Sequence, residues 1–488
     1  MKHIKYKVFV LILASMMTSC SKWLDMQPIN QTTSEGFWIN EHAADQTLSG
    51  AYALLRKALL TGGDRFMLYG ELMGTTMKHS GQGSTGKEQA MDSWNPDTSE
   101  YEWRNFYIVI AQCNLILLKT EQLDISVFKN GEKGKQKILG EAYFLRAYAY
   151  FYMVRIWGDV PLVTTSLQNV SEVISQEGAV LNVPRTPEAK VLEQCIADLK
   201  LAETYLDYGT FGDGQWAVRA NKGSVEALMA HTYLWMHKPD LAEKAADDVI
   251  TKGGYSLVDY SDSLAVKSMF TGRSSEGIFE LNIKFDQSES ITDGITAKTV
   301  YHPWIYNKLE DGSIWIVEKI YMATLYKDYD LRTKRFFGFW DQERPIILKY
   351  AQVAYENQET HLNPFGNSNV ILLRLSDIVL LRAEALQNLG RSAEAITLLN
   401  IIRTRAMATP YTGSDTDLKY AIFQEREKEL IGEAQTYYDR IRCNEWTNIE
   451  WMTGARKTLK GYYWPIPARY IANNPLLTQQ AFWATKIW

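Results

Sequence analysis

The chain has 488 residues, 46% of them hydrophobic, and carries 52 Lys plus Arg against 57 Asp plus Glu, a formal net charge of −5. An acidic balance disfavours a nucleic-acid partner, whose phosphates are themselves densely anionic. The most hydrophobic stretch beyond the N-terminus, 142–157, is interrupted by Arg146 and Arg155. It therefore reads as a buried helix and not as a bilayer span, which takes roughly 20 apolar residues.

In chain order, residues 1–19 read as a secretory signal peptide: Lys2, Lys5 and Lys7 supply positive charge, 8–17 a short apolar run, and Thr18 and Ser19 small residues. Met17-Thr18-Ser19-Cys20 resembles a bacterial lipobox, which implies a diacylglycerol on the Cys20 thiol. Several acyl chains, at roughly 0.8 kcal/mol per buried CH₂, would hold the protein durably at a membrane surface. Loss of residues 1–19 removes three lysines and takes the net charge from −5 to −8. Residues 21–33 would link the lipid to the folded body.

Helical periodicity predicts helices over 41–59, 102–120, 136–157, 187–206 and 418–442. The stretch 74–95, rich in Gly, Ser and Thr, reads as irregular. Trp103 and Tyr107 share a helical face with Ile110 and Asn114 and are expected in the core. Gly158-Asp159-Val160-Pro161 ends a helix with a Pro that prevents its continuation. Thr186-Pro187-Glu188 predicts an N-cap, a first-turn Pro and an acid beside the helix dipole. Cys113, Cys195 and Cys443, odd in number and widely spaced, are expected as buried free thiols, with one disulfide as the alternative.

One internal repeat can be measured. Ala383, Leu386, Ala395, Leu399 and Ile402 lie at offsets 0, 3, 12, 16 and 19, and Ala230, Tyr233, Ala242, Ala246 and Val249 repeat them 153 residues earlier. Gly390 breaks one set and Pro239 the other. Small residues at the crossing describe two antiparallel helices, similar to the tetratricopeptide pair. On 375–389 the apolar positions span about a 100° arc with Arg382 in its middle, so Arg382 is expected in a structural salt bridge. The expected fold is mainly α: tetratricopeptide-like helical pairs forming a curved scaffold from about 20–252 and 371–488. A long loop-rich insertion, 253–370, would interrupt it, with short strands near 277–283 and 345–350.

Several segments match one family in the same order along nearly the whole chain. They are Cys20 with Trp23-Leu24-Asp25 and Pro28; Gly140-Glu141-Ala142-Tyr143-Phe144-Leu145-Arg146-Ala147 running to Trp157-Gly158-Asp159-Val160-Pro161-Leu162; and Leu373-Arg374 leading to Ala383-Glu384-Ala385-Leu386. Then follow Leu399-Asn400 with Arg403 and Arg405, Glu425-Arg426 with Glu429-Leu430, Tyr438-Asp439 with Arg442, Trp464-Pro465-Ile466-Pro467 and Asn473-Asn474-Pro475. The chain resembles the SusD/RagB family of Bacteroidetes nutrient-binding lipoproteins, and residues 20–488 would form a single SusD-like domain. Physically these are scaffold motifs: Glu425, Arg426, Glu429, Asp439 and Arg442 have spacings that allow charged networks along and between helices.

The resemblance implies a lipid-anchored outer-membrane protein facing the cell exterior. Such a protein captures an oligosaccharide, or in some members a peptide, and passes it to a SusC-like TonB-dependent transporter without catalysis. It implies no cofactor. Sugar rings stack on aromatic faces, and the irregular stretches nominate Trp94 and Asn95 in the first, and Tyr301, Trp304, Tyr306 and Trp315 in the insertion. The insertion also carries Tyr321, Tyr326, Tyr329 and Trp340, and against the nominated residues stands the reading that Trp and Tyr in an insertion mostly pack its own small core. A glycoside hydrolase with a carboxylate pair and a protein-binding helical scaffold are the alternatives. His231 and His237, six apart on one predicted helix, face different ways, so no metal site is expected there.

Overall fold

The computed structural model describes residues 34–79, 102–166, 182–283 and 315–486, apart from Leu72, Thr75, Arg344, Ala351, Gln358, His361, Asn367, Asn448 and Glu450. Residues 1–33, with the expected signal peptide, Cys20 and linker, lie outside the described residues. No helix among the described residues is long and apolar enough to cross a membrane.

The long helices are α1 (Glu41–Gly70), α2 (Arg104–Gln122), α3 (Glu132–Trp157), α4 (Glu188–Tyr205), α5 (Lys222–Trp235), α6 (Pro239–Lys252), α7 (Ser263–Thr271), α8 (Leu375–Asn388), α9 (Ser392–Arg405), α10 (Asp415–Leu430) and α11 (Thr436–Cys443). Each of α1 to α6 packs on the next, and α6 then packs on α8 and α8 on α9. The fold is the mainly helical, tetratricopeptide-like stack the sequence suggests. Both copies of the repeat are buried at all five positions, and their hairpins, α5–α6 and α8–α9, lie directly against each other despite the chain between them. Arg382 spans that joint, its guanidinium 2.8 Å from Glu243 and 2.8 Å from Asp247.

The described residues form eight short strands: β1 (Met77–His79), β2 (Gly277–Leu281), β3 (Trp315–Val317), β4 (Phe337–Gly338), β5 (Ile346–Ile347), β6 (Val353–Asn357), β7 (Leu362–Gly366) and β8 (Val370–Arg374). They form four antiparallel pairs, β1–β3, β2–β8, β4–β5 and β6–β7. The run 345–350 forms only the two residues of β5. The run near 277 pairs with β8, at the C-terminal edge of the insertion.

Helix α3 is buried along most of its length, from Ile138 to Trp157, so its charges need partners. Arg146 donates Nε and Nη2 to Asp198 of α4, each at 2.7 Å, and Nη1 to Asn114 of α2 at 2.7 Å. One guanidinium thus clips three helices together through charge-assisted bonds. Arg155 lies over the rings of Tyr438 at 4.1 Å, Phe151 at 4.5 Å and Tyr152 at 4.7 Å, a set of cation–π contacts. Gly158 ends α3 with φ +67°, and a Cβ there would sit 2.7 Å from the Tyr463 ring, so only glycine fits. Cys113, Cys195 and Cys443 are free and buried, and burial pushes the Cys113 thiol up to about 12.

Three local expectations need correction. The cap of α4 is not Thr186: the Glu188 N–H is accepted by Asp159 at 2.8 Å, while Thr186 pairs through its backbone with Val160. The turn that ends α3 thereby starts α4. Helix α1 continues past residue 59 through Gly62 and Gly63 to Gly70, because Leu59, Leu60, Phe66 and Met67 on either side are buried, and tertiary packing overrides the glycine penalty. The stretch 418–442 is two helices, broken at Ile431–Ala434, where Gly432 has φ +75° and Ala434 φ +55°.

That break is where α1 docks. Glu71 Oε1 accepts the Gly432 and Ala434 N–H groups at 3.0 and 3.1 Å, and Oε2 accepts the Thr76 hydroxyl at 2.7 Å. The chain at Gly70 runs so close that a Cβ would lie 2.1 Å from the Ala434 carbonyl oxygen. Burial, working against these hydrogen bonds, pushes the Glu71 carboxyl up to about 7.

The insertion is fastened to α10 by charge. Glu429 accepts from Arg332, Arg374 and Arg405 at 2.9, 2.8 and 2.7 Å and from the Tyr260 hydroxyl. Arg332 also meets Glu425 at 2.6 Å and Asp330 at 2.7 Å. Arg374 meets Glu276 and Glu433, each at 2.7 Å, and Arg405 meets Glu276 at 2.8 Å. Burial opposes ionisation of Glu429, but the guanidiniums, Arg405 foremost, hold its carboxyl well below the usual range. Behind this cluster Arg426 joins Asp377 at 2.8 Å and Asp439 at 2.7 Å, and Arg442 joins Glu384 at 2.6 Å.

Truncating one member of a buried ionic cluster strands its partners, so Glu429→Ala is expected to cost about 3–5 kcal/mol. Arg382→Ala, whose ion pairs are partly exposed, should cost no more than about 1 kcal/mol. Denaturant unfolding of both variants checks the contrast, and equal losses would contradict it. Because Glu71 holds its proton to higher pH folded than unfolded, its contribution is full below about 4.5 and is lost as pH rises through about 7. Glu71→Gln is therefore expected to flatten the fall of the melting temperature between about pH 5 and 7. An unchanged slope would show that Glu71 ionises normally.

Candidate ligand-binding site

The geometry of the site begins with the β1–β3 ladder. Its register pairs Met77 with Val317, Lys78 with Ile316 and His79 with Trp315. The chain leaves β1 at His79 and enters β3 at Trp315, and these two residues are partners. Segments 80–101 and 284–314 therefore connect to the same end of one antiparallel stem. Those segments hold the nominated Trp94 and Asn95 on one side and Tyr301, Trp304 and Tyr306 on the other, all within 16 residues of the stem. These five residues lie outside the described residues. Trp315 is the first residue of β3.

The stem is set firmly on the scaffold. Glu318 N–H donates to Thr76 O at 2.8 Å and extends the ladder by one bond. Met77 and Val317 are buried, β3 packs on β5, and a Cβ on Gly432 would meet Ile347 at 2.9 Å, so the α10–α11 turn closes over the same corner. Glu71 ties Thr76 to that turn. A site built on such a base keeps its geometry better than one on free loops.

Strand β1 lies in a stretch whose composition predicts irregular structure. Three residues are too few to reveal a two-residue period, and Thr75-Thr76 before Met77 is the one β-favouring signal present. The remaining insertion aromatics divide. Tyr326 is buried against Trp340, 5.3 Å between ring centroids, and Phe337 lies 4.8 Å from the Trp340 ring. Lys319, on the short helix Lys319–Leu325, lies 3.7 Å over Trp340. Tyr321 donates its hydroxyl to Glu427, which also accepts Arg440 at 2.6 Å. These rings form the small core of the insertion, whereas Tyr329 is 58% exposed. Trp103 and Tyr107 are fully buried, as expected, with the Tyr107 hydroxyl donating to Pro161 O at 2.6 Å.

Buried histidine and carboxylates serve the scaffold. His231 lies 2.7 Å from Asp377, and no group of His, Cys, Asp and Glu among the described residues could hold a metal ion. Among the described residues the arrangement is one antiparallel stem beside an ion-locked helical stack.

Comparison with known proteins places the chain. The family described as "SusD family" matches residues 330–483, and one described as "Starch-binding associating with outer membrane" matches residues 22–234. SusD-like protein P38 of Formosa agariphila is 26% identical over 98% of both chains. A SusD-like protein of Bacteroides ovatus is 25% identical over 70% of this chain and 64% of its own. The crystal structure of a SusD homolog from Bacteroides thetaiotaomicron superposes with a TM-score of 0.76 at 26% identity, covering 91% of this chain and 98% of that one. A second SusD superfamily structure from the same organism gives 0.74 at 25% identity over 91% and 99%. With matches at both ends of the sequence and one fold across them, the chain belongs to the SusD/RagB family.

Proposed function

We propose that this protein captures an oligosaccharide on the aromatic loops carried by the β1–β3 stem and hands it to a SusC-like TonB-dependent transporter of the outer membrane. A lipid on Cys20, exposed by removal of residues 1–19, tethers it to that membrane on the outer face, and residues 20–488 act as one unit. The observation that carries this reading is the pairing of His79 with Trp315, which supports a shared rim for two stretches far apart in sequence. Trp94, Asn95, Tyr301, Trp304, Tyr306 and Trp315 supply the stacking faces and hydrogen bonds of that rim. A matched family described as starch-binding and associating with the outer membrane supports the same ligand class and location.

Binding proceeds without cleavage. Glycoside hydrolysis needs two opposed carboxyl groups facing the ligand, and Glu276, Glu425, Glu429, Glu433, Asp377 and Asp439 are instead committed to arginines in the interior.

Titration with a panel of oligosaccharides should quench tryptophan fluorescence for one glycan class. Trp94→Ala and Trp304→Ala should each weaken that binding about tenfold, or about 1.4 kcal/mol, and unchanged affinity in both would remove those residues from the site. Reducing sugar released in proportion to protein concentration would refute binding without cleavage. Gentle detergent extraction should bring down a large β-barrel transporter with the full-length lipoprotein, and its absence would refute the delivery step.

A further inference from the structure

Most buried arginines here meet carboxylates, so cations without one stand out. Lys267 on α7, and Lys334 and Arg335 on the short helix Arg332–Arg335, line one pocket of about 300 Å³ with Leu264, Phe270 and Leu348. No carboxylate among the described residues lines it. Among the described residues none of the three cations has an ion pair, although Arg332, three residues from Arg335, has three acidic partners. The nearby acids are turned onto their own backbone: Asp259 accepts from Ser261, and Asp262 from the Leu264 and Ala265 N–H groups.

Arg335 is held in place. Its Nε donates to Tyr260 O at 2.8 Å and its Nη2 to Ser261 O at 2.9 Å, leaving Nη1 uncommitted. Lys267 and Lys334 are exposed on the rim, Lys334 resting 5.7 Å from the exposed Tyr329 ring. Phe270 is a buried apolar floor, and Leu264, 74% exposed, an apolar wall. A fixed guanidinium and two exposed ammoniums recognise an anionic group, and the apolar surface beside them suits the face of a sugar ring. The volume is at the small end of ligand pockets. Leu348 directly follows β5, which packs on β3, so the pocket neighbours the stem of the proposed rim.

We propose that this pocket binds the carboxylate or sulfate ester of an acidic saccharide, so that the oligosaccharide taken by this protein is anionic. The inference rests on the saccharide-binding reading above. The test is calorimetric titration of the purified full chain with matched pairs: galacturonate and glucuronate oligomers against their carboxyl-reduced forms, and a sulfated galactan oligomer against its desulfated form.

At least one anionic member should bind at least about fivefold tighter than its neutral partner, with the preference shrinking as NaCl rises from about 50 to 500 mM. The double variant Lys267→Gln/Lys334→Gln, which loses no hydrogen bond of the fold, should erase most of that preference. Arg335→Gln should do the same, with thermal melting read alongside. Equal affinity within every pair, or a preference untouched in both variants, overturns the proposal. So does retention on phosphatidylglycerol vesicles that disappears in the double variant without any saccharide preference, which would assign the pocket to a lipid surface. Neutral saccharides bound and lost on Trp94→Ala, with the cationic variants inert, would leave the proposed function standing and remove this inference alone. Binding of no saccharide in either form would remove both.

Discussion

Glu429 is a carboxylate taken wholly out of water, and everything around it answers to that cost. An isolated buried charge is penalised by several kcal/mol even after relaxation, so Glu429 can ionise only if donors converge on it. They come from three places in the sequence: Arg332 within the insertion, Arg374 at the end of β8, and Arg405 at the end of α9. Arg332 and Arg374 are buried and Arg405 partly so, and each recruits further acids, Glu425, Glu433 and Glu276 among them. The insertion is thus bound to the scaffold by a requirement of mutual neutralisation.

Such a lock is a specific one. Apolar packing tolerates exchange of one side chain for another of similar volume, whereas a bidentate guanidinium needs its acceptors at fixed positions. The cluster therefore sets where β8 and the Arg332–Arg335 helix lie relative to α10, and through β5 where β3 lies. Because β3 pairs with β1, the geometry of the loop stem follows from charges in the core. Glu71 completes the frame from the other side by joining the end of α1 to the turn after α10. Lys267, Lys334 and Arg335 differ in facing one pocket whose described lining holds no carboxylate.

The tetratricopeptide-like pairs divide labour with the insertion. Helices α1 to α6 and α8 to α9 form a stack in which each hairpin needs its neighbour to bury its face. The direct contact of α6 with α8 lets a long segment leave and return without interrupting the stack, and Arg382 bridges the joint with two carboxylates. An insertion held this way can vary its loops while the scaffold stays constant, which is how binding surfaces are commonly carried.

Much of this was legible in the amino-acid order. The helices, the repeat at a spacing of 153, the buried placement of Trp103 and Tyr107, the ion pair of Arg382 and the charged network of Glu425 to Arg442 follow from periodicity and from the cost of burying charge. Tertiary structure alone decided which partner Arg382 takes, that Asp159 and not Thr186 caps α4, and that 418–442 breaks at Gly432 to receive Glu71. It also decided that Met77–His79 pairs with Trp315–Val317 and that Tyr326 is core with Trp340 packed against it. The reason is common to these: periodicity reports how a residue sits on its own helix or strand, whereas caps, strand partners and pocket walls are chosen between separate segments, from tens to hundreds of residues apart. There the competition among desolvation, charge and close packing is settled only when the segments meet.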